Sequence, residues 1–157
     1  MQAWRVAHGR LATKSNLQKR GVVLLSLSCP LCGEEDETEE HVFINCTVAR
    51  SVLHDFGKWW NIDINRISNL PSLFEWGNTL NLKGSKLKIF TTALFTYLWQ
   101  IWKLRKDKIF QGVNREGEIL IFSQIQALSY YWVRHRAVSC NLANRWVEWC
   151  NSPCTCY

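Results

Sequence analysis

"CPLCGEEDETEEHVFINC" (residues 29–46) places three thiols and one imidazole within eighteen residues, around a run at 34–40 in which six of seven residues are acids. Cys29 and Cys32 stand two residues apart, the spacing that lets two thiolates meet one ion from a single tight turn. His41 and Cys46 supply the second pair with which Zn²⁺ closes a tetrahedron. Pro30 fixes φ inside the turn, and Gly33 stands where the chain must reverse with φ > 0. Thr38 can cap a short helical turn that carries His41 and Cys46. A set of three sulfurs and one nitrogen selects Zn²⁺ over Mg²⁺ or Ca²⁺, which prefer oxygen. With all four positions filled by protein, such a site is structural. Coincidental buried cysteines and a Cys29/Cys32 redox pair are the competing explanations. The acids read as a solvated loop, bystanders to the metal, that repels phosphate and sends any nucleic acid to another face.

Outward from this stretch the patterning is helical. Residues 3–12 read as a short helix with Trp4, Ala7 and Leu11 on one side. Thr13 caps a second helix through Arg20, which Gly21 ends. Residues 22–28 are extended. Thr47 reads as the N-cap of a helix to about Trp60, with Val48, Val52, Phe56 and Trp59 three and four residues apart. Residues 61–84, with Pro71, Gly77 and Gly84, read as a linker with one helical turn near Ser72–Trp76. From Ser85, Leu87, Phe90, Leu94, Tyr97, Ile101 and Leu104 form a seam of alternating three- and four-residue steps. A last long helix is expected from about Glu116 to Val138, burying Ile119, Phe122, Ile125, Leu128 and Trp132. The fold expected is all-α: short helices around a small zinc-knuckle turn, followed by a longer helical hairpin. The division expected is 1–60 zinc-binding unit, 61–84 linker and 85–157 helical extension, cut short.

Of 157 residues 47% are hydrophobic and nine are Trp, enough to bury a core. The formal charge is +6, but outside 34–40 nineteen cations face seven acids, a balance of +12. That suggests a polyanionic partner, most simply nucleic acid. Arg5, Arg10, Lys14, Lys19 and Arg20 near the start, and Lys103, Arg105 and Lys106 beside Trp99 and Trp102, are the candidate contacts. In the second group the two Trp read more naturally as core. The first twenty residues are basic with no apolar run, so no secretory signal is visible and a nuclear or cytoplasmic location is expected. The apolar stretch Ile89–Trp102 is too short to span a bilayer. No paired carboxylates, Ser/His/Asp set or phosphate-binding loop points to an enzyme. His8 and His54 read as surface histidines. Cys140, Cys150, Cys154 and Cys156 lack the paired spacing of a second metal site.

With "WRVAHGRLATKSNLQKRGV" (residues 4–22), "CPLC", "ETEEHVFINC" and Ala49–Arg50 in order, the chain resembles the zinc-binding domain that follows the polymerase in plant LINE-type (non-LTR) retrotransposon reverse transcriptases. The resemblance covers residues 4 to about 60, and "LWQIWKLRKDKIFQG" (residues 98–112) is similar to the helical region that trails this domain. It departs at Ala12 and Thr47, where the family has Pro, and at Leu53, where Trp is common. It implies a structural Zn²⁺ on Cys29, Cys32, His41 and Cys46. It further implies a role beside RNA or the polymerase part of the same polyprotein. No Tyr/Phe-Ala-Asp-Asp polymerase motif and no RNase H carboxylate set is present, and the chain starts part-way into the family's first helix. A piece of a larger element-encoded protein, or a reading frame left by a decayed copy, is therefore expected. Three roles compete: a zinc-stabilised nucleic-acid-binding module, a protein-interaction scaffold that docks a partner on the 87–104 seam, and an inert fragment.

Overall fold

The computed structural model describes Val6 and residues 8–112, 120–136 and 145–153. Among these residues the order is α1 (Lys14–Lys19), a π-helical turn (His41–Asn45), α2 (Thr47–Trp60), α3 (Leu70–Thr79), α4 (Gly84–Phe110), α5 (Ile121–Arg136) and α6 (Trp146–Asn151). The one β feature described is an isolated antiparallel bridge between Ser28 and Asp36. The expected all-α architecture with a longer hairpin is present, α4 packing along α5.

The Thr13 side chain caps α1 by accepting from the Asn16 amide at 3.3 Å, and Gly21 follows at φ 83°. The helix expected over 3–12 does not reach Leu11. Its Trp4 and Ala7 lie outside the described residues, and His8–Gly9 is already a turn with Gly9 at φ 60°. Leu11 is buried from irregular backbone instead, its amide donating to Glu39 Oε1 at 2.9 Å. In α2 the expected cap is shifted by one: Thr47 is the first helical residue, and Cys46, with extended ψ of 133°, precedes it.

Segment 61–84 holds more than the expected linker turn. Asn69 Oδ1 accepts from the Ser72 amide at 2.8 Å while Ser72 Oγ accepts from the Asn69 amide at 3.2 Å. This reciprocal cap, with Pro71 in the first turn, starts the ten-residue α3. Leu70, Leu73 and Trp76 bury its inner face. Gly77 allows α3 to approach α4, since a Cβ there would sit 2.7 Å from Leu87 Cδ1 and 3.1 Å from Phe90 Cδ1.

The 27 residues of α4 run for about 40 Å. Phe90, Leu94, Tyr97, Ile101 and Leu104 are buried and Leu87 is half-buried. The seam is therefore internal, and the idea of an exposed seam docking a partner is corrected. In α5 the buried face is Ile121, Ile125, Ser129 and Val133, with Phe122, Leu128 and Trp132 only half-buried. Ile119 of the expected face lies outside the described residues. The turn of the helix arises because Ser129 takes a core position, its hydroxyl donating to the Ile125 carbonyl at 2.6 Å. A count of apolar spacing alone overlooks a serine satisfied in this way. On α6, Trp149 is fully buried; its carbonyl accepts from Trp59 Nε1 at 2.7 Å and its own Nε1 donates to the Gln126 carbonyl at 3.0 Å. Phe56 of α2 forms the aromatic hub, its ring lying 5.7–6.3 Å from those of Trp59, Trp60, Trp76, Phe90 and Tyr97.

Candidate metal centre

The Cys-Pro-Leu-Cys turn is closed by the Gly33 amide donating to the Cys29 carbonyl at 2.8 Å, with Gly33 at φ 78°. The backbone amides of Leu31 and Cys32 point at the Cys29 sulfur. From the other side, Thr38 Oγ1 accepts from the His41 amide at 3.0 Å, opening the π turn as expected. The Cys46 amide then donates to the His41 carbonyl at 2.7 Å, an i→i+5 bond. In an α-helix, residues five apart diverge in direction by about 140°; the wider π turn narrows that angle and brings His41 and Cys46 to one side. Val42, Phe43 and Ile44 meanwhile enter the core. The Tyr97 hydroxyl, kept protonated by burial, donates to the Phe43 carbonyl at 2.6 Å.

One ligand atom from each of Cys29, Cys32, His41 and Cys46 lies within 4.8 Å of every other. Cys29 and Cys46 sulfurs are 4.0 Å apart, and Cys32 Sγ is 3.2 Å from His41 Nε2. Two sulfurs sharing a tetrahedral zinc at ~2.3 Å each would be ~3.8 Å apart, so the donor set fits the ion. Cys29, Cys46 and His41 are buried and Cys32 is half-buried. Hydrogen bonding to Cys46 draws the Cys29 thiol down to about 5, while the same bond and burial push Cys46 up. A divalent cation bound between them would take both sulfurs as thiolates. The four residues fit structural Zn²⁺, with no coordination position left for a reacting water.

Residues 1–52 match the family described as zinc-binding in reverse transcriptase. All four ligands fall within the matched segment, which is 52 of the chain's 157 residues. No curated protein and no solved structure gives a significant match. The matched family is a zinc-binding accessory unit, not the catalytic polymerase. No helix among the described residues is long and apolar enough to cross a membrane.

The acidic run is not the bystander expected. Glu37 is fully buried: its carboxylate receives Arg105 Nε at 2.6 Å, Arg105 Nη2 at 2.8 Å and the Lys14 amide at 2.7 Å. Glu39 is half-buried and accepts from the Leu11 amide and from Asn16 Nδ2; burial pushes its carboxyl up. Glu35 Oε2 lies 3.0 Å from His41 Nδ1. Glu34, Asp36 and Glu40 are exposed, as a solvated loop requires.

The expected nucleic-acid contacts differ in exposure. Arg5 lies outside the described residues. Arg10, Lys19, Arg20 and Lys103 are exposed, and Lys106 lies over the Trp99 ring at 5.7 Å. Lys14 Nζ donates to the Ser28 carbonyl at 2.8 Å, and the buried Arg105 faces Glu37 and the ring of Trp102. Trp102 is core, but Trp99 is 37% exposed. Lys108, which is not among the expected contacts, donates to the Leu31 carbonyl at 2.9 Å inside the Cys-Pro-Leu-Cys turn. His8 and His54 are exposed, Cys150 is half-buried, and Cys140, Cys154 and Cys156 lie outside the described residues.

Proposed function

We propose that the chain is a non-enzymatic zinc-stabilised module of a plant LINE-type reverse transcriptase protein, assisting the binding of RNA next to the polymerase part. The observation that carries this reading is a stripe on the solvent side of α4. Phe95, Trp99, Lys103, Lys106 and Phe110 recur at three- and four-residue steps, with Phe95 40% and Phe110 79% exposed. Cations among exposed rings suit a single strand, whose phosphates take the charges and whose unpaired bases stack on aromatic faces. Arg10, Lys19 and Arg20 add exposed cations at and next to α1. The buried seam leaves the protein-scaffold alternative without the surface it required.

Anisotropy of a labelled single-stranded RNA, titrated with salt, tests this. The logarithm of the affinity should fall linearly with that of salt concentration, and Lys103→Ala with Lys106→Ala should flatten the slope by roughly 1.4, at ~0.7 per phosphate contact. Trp99→Ala should cost about 1–3 kcal/mol at fixed salt if a base stacks there. Absence of binding, or binding indifferent to salt, sinks the reading.

A further inference from the structure

We infer that Glu35 is the positioning residue of the metal centre: its carboxylate holds His41 by Nδ1 and thereby presents Nε2 as the metal-binding nitrogen. The two ring nitrogens of His41 face different partners. Nε2 lies 3.2 Å from Cys32 Sγ, within the sulfur cluster, whereas Nδ1 lies 3.0 Å from Glu35 Oε2, outside it. A carboxylate at Nδ1 requires the proton there and leaves the Nε2 lone pair for the ion. Glu35 also secures the first ligand, its backbone carbonyl accepting from the Cys29 amide at 2.7 Å. One residue thus joins the Cys-Pro-Leu-Cys turn to the π turn, the two elements that must converge for the shell to close. The side chain is 73% exposed, so packing does not hold it there. Its neighbours Glu34 and Asp36 are exposed too, yet only Glu35 of these three is hydrogen-bonded to a ligand ring among the described residues. This inference rests on the zinc centre and is independent of RNA binding.

The test is competition for zinc between the full chain and a chromophoric chelator. Glu35→Ala should lower zinc affinity by about 10–100-fold, the usual range for losing such an outer partner. Glu35→Gln keeps an oxygen that can accept from Nδ1–H and should lose less. Glu34→Ala removes the same charge from the same loop without touching His41 and should bind like the wild type. Nitrogen-15 NMR of the zinc-loaded wild type should show the His41 proton on Nδ1 and the metal on Nε2, a readout available even if Glu35→Ala does not fold. Affinity unchanged in Glu35→Ala, an equal loss in Glu34→Ala, or a proton found on Nε2 would each overturn the assignment. A wild type that takes up no zinc would overturn the metal centre and this inference together.

Discussion

Glu37 and Arg105 show how much one pair of residues can decide. Sixty-eight positions separate them, yet the guanidinium meets the carboxylate through two nitrogens, with the Glu37 side chain 0% and the Arg105 side chain 8% exposed. Removing a single partner strands a desolvated charge, which typically costs about 3–5 kcal/mol. Arg105→Met should therefore destabilise the protein by that amount in urea titration, and adding Glu37→Gln to it should recover part of the loss. A surface role for Arg105 would instead leave stability unchanged and weaken RNA binding. Sequence could not separate this acid from its neighbours. Six carboxylates within seven residues look alike until the folded chain brings a cation to one of them, and hydropathy marks all of them as exposed. The four metal ligands were legible for the opposite reason. Their chemistry is soft and their spacing local, so little tertiary knowledge was needed to group them.

At the scale of elements, the Cys-Pro-Leu-Cys turn and the π turn converge where the ligands meet. Between Gly21 and Ser28 no residue is buried, and Val22, Val23 and Leu25 are exposed; beside the ligands, Leu31, Val42, Phe43 and Ile44 are the apolar groups of the segment that enter the core. Metal ligation adds to that packing in offsetting the cost of ordering this segment; structural zinc can contribute about 10 kcal/mol or more. Cys32→Ala should abolish zinc uptake and open amide exchange across 22–46. Acid should act in the same direction. Zinc needs three thiolates and a neutral imidazole, so lowering pH adds protons that compete with the ion, and release should be accompanied by proton uptake. Affinity that held constant as the pH fell would contradict thiolate ligation. Both ends of α2 and the start of α4, the helices with long apolar repeats, were readable to within a residue or two, whereas α3 was not. Pro71 and Gly77 look like breakers in a string of letters, but here one starts the helix and the other admits the side chains of Leu87 and Phe90. Their meaning is set by what packs beside them.

For the molecule as a whole, the question is whether the zinc-binding segment and the helical hairpin are separable. The expected division at 61–84 would let residues beyond 84 melt on their own. Polar contacts across that line argue otherwise. Tyr97 holds the Phe43 carbonyl of the π turn, Arg105 holds Glu37, Lys108 holds the Leu31 carbonyl between the first two ligands, and Trp59 is hydrogen-bonded to Trp149. Around them one apolar cluster extends from Val6 through Phe56 to Trp149. Breaking the metal centre should therefore loosen the hairpin as well, because the last turns of α4 lean on the backbone that zinc orders. Far-UV circular dichroism reports mainly the long helices, and tryptophan fluorescence reports the packing around the nine Trp, Trp59, Trp60 and Trp76 among them. Heated with zinc, the two probes should trace one coincident transition; with a strong chelator, both midpoints should fall together. If the dichroism midpoint stayed in place while zinc was stripped, the hairpin would be a separate unit and the crossing contacts too weak to couple it to the metal.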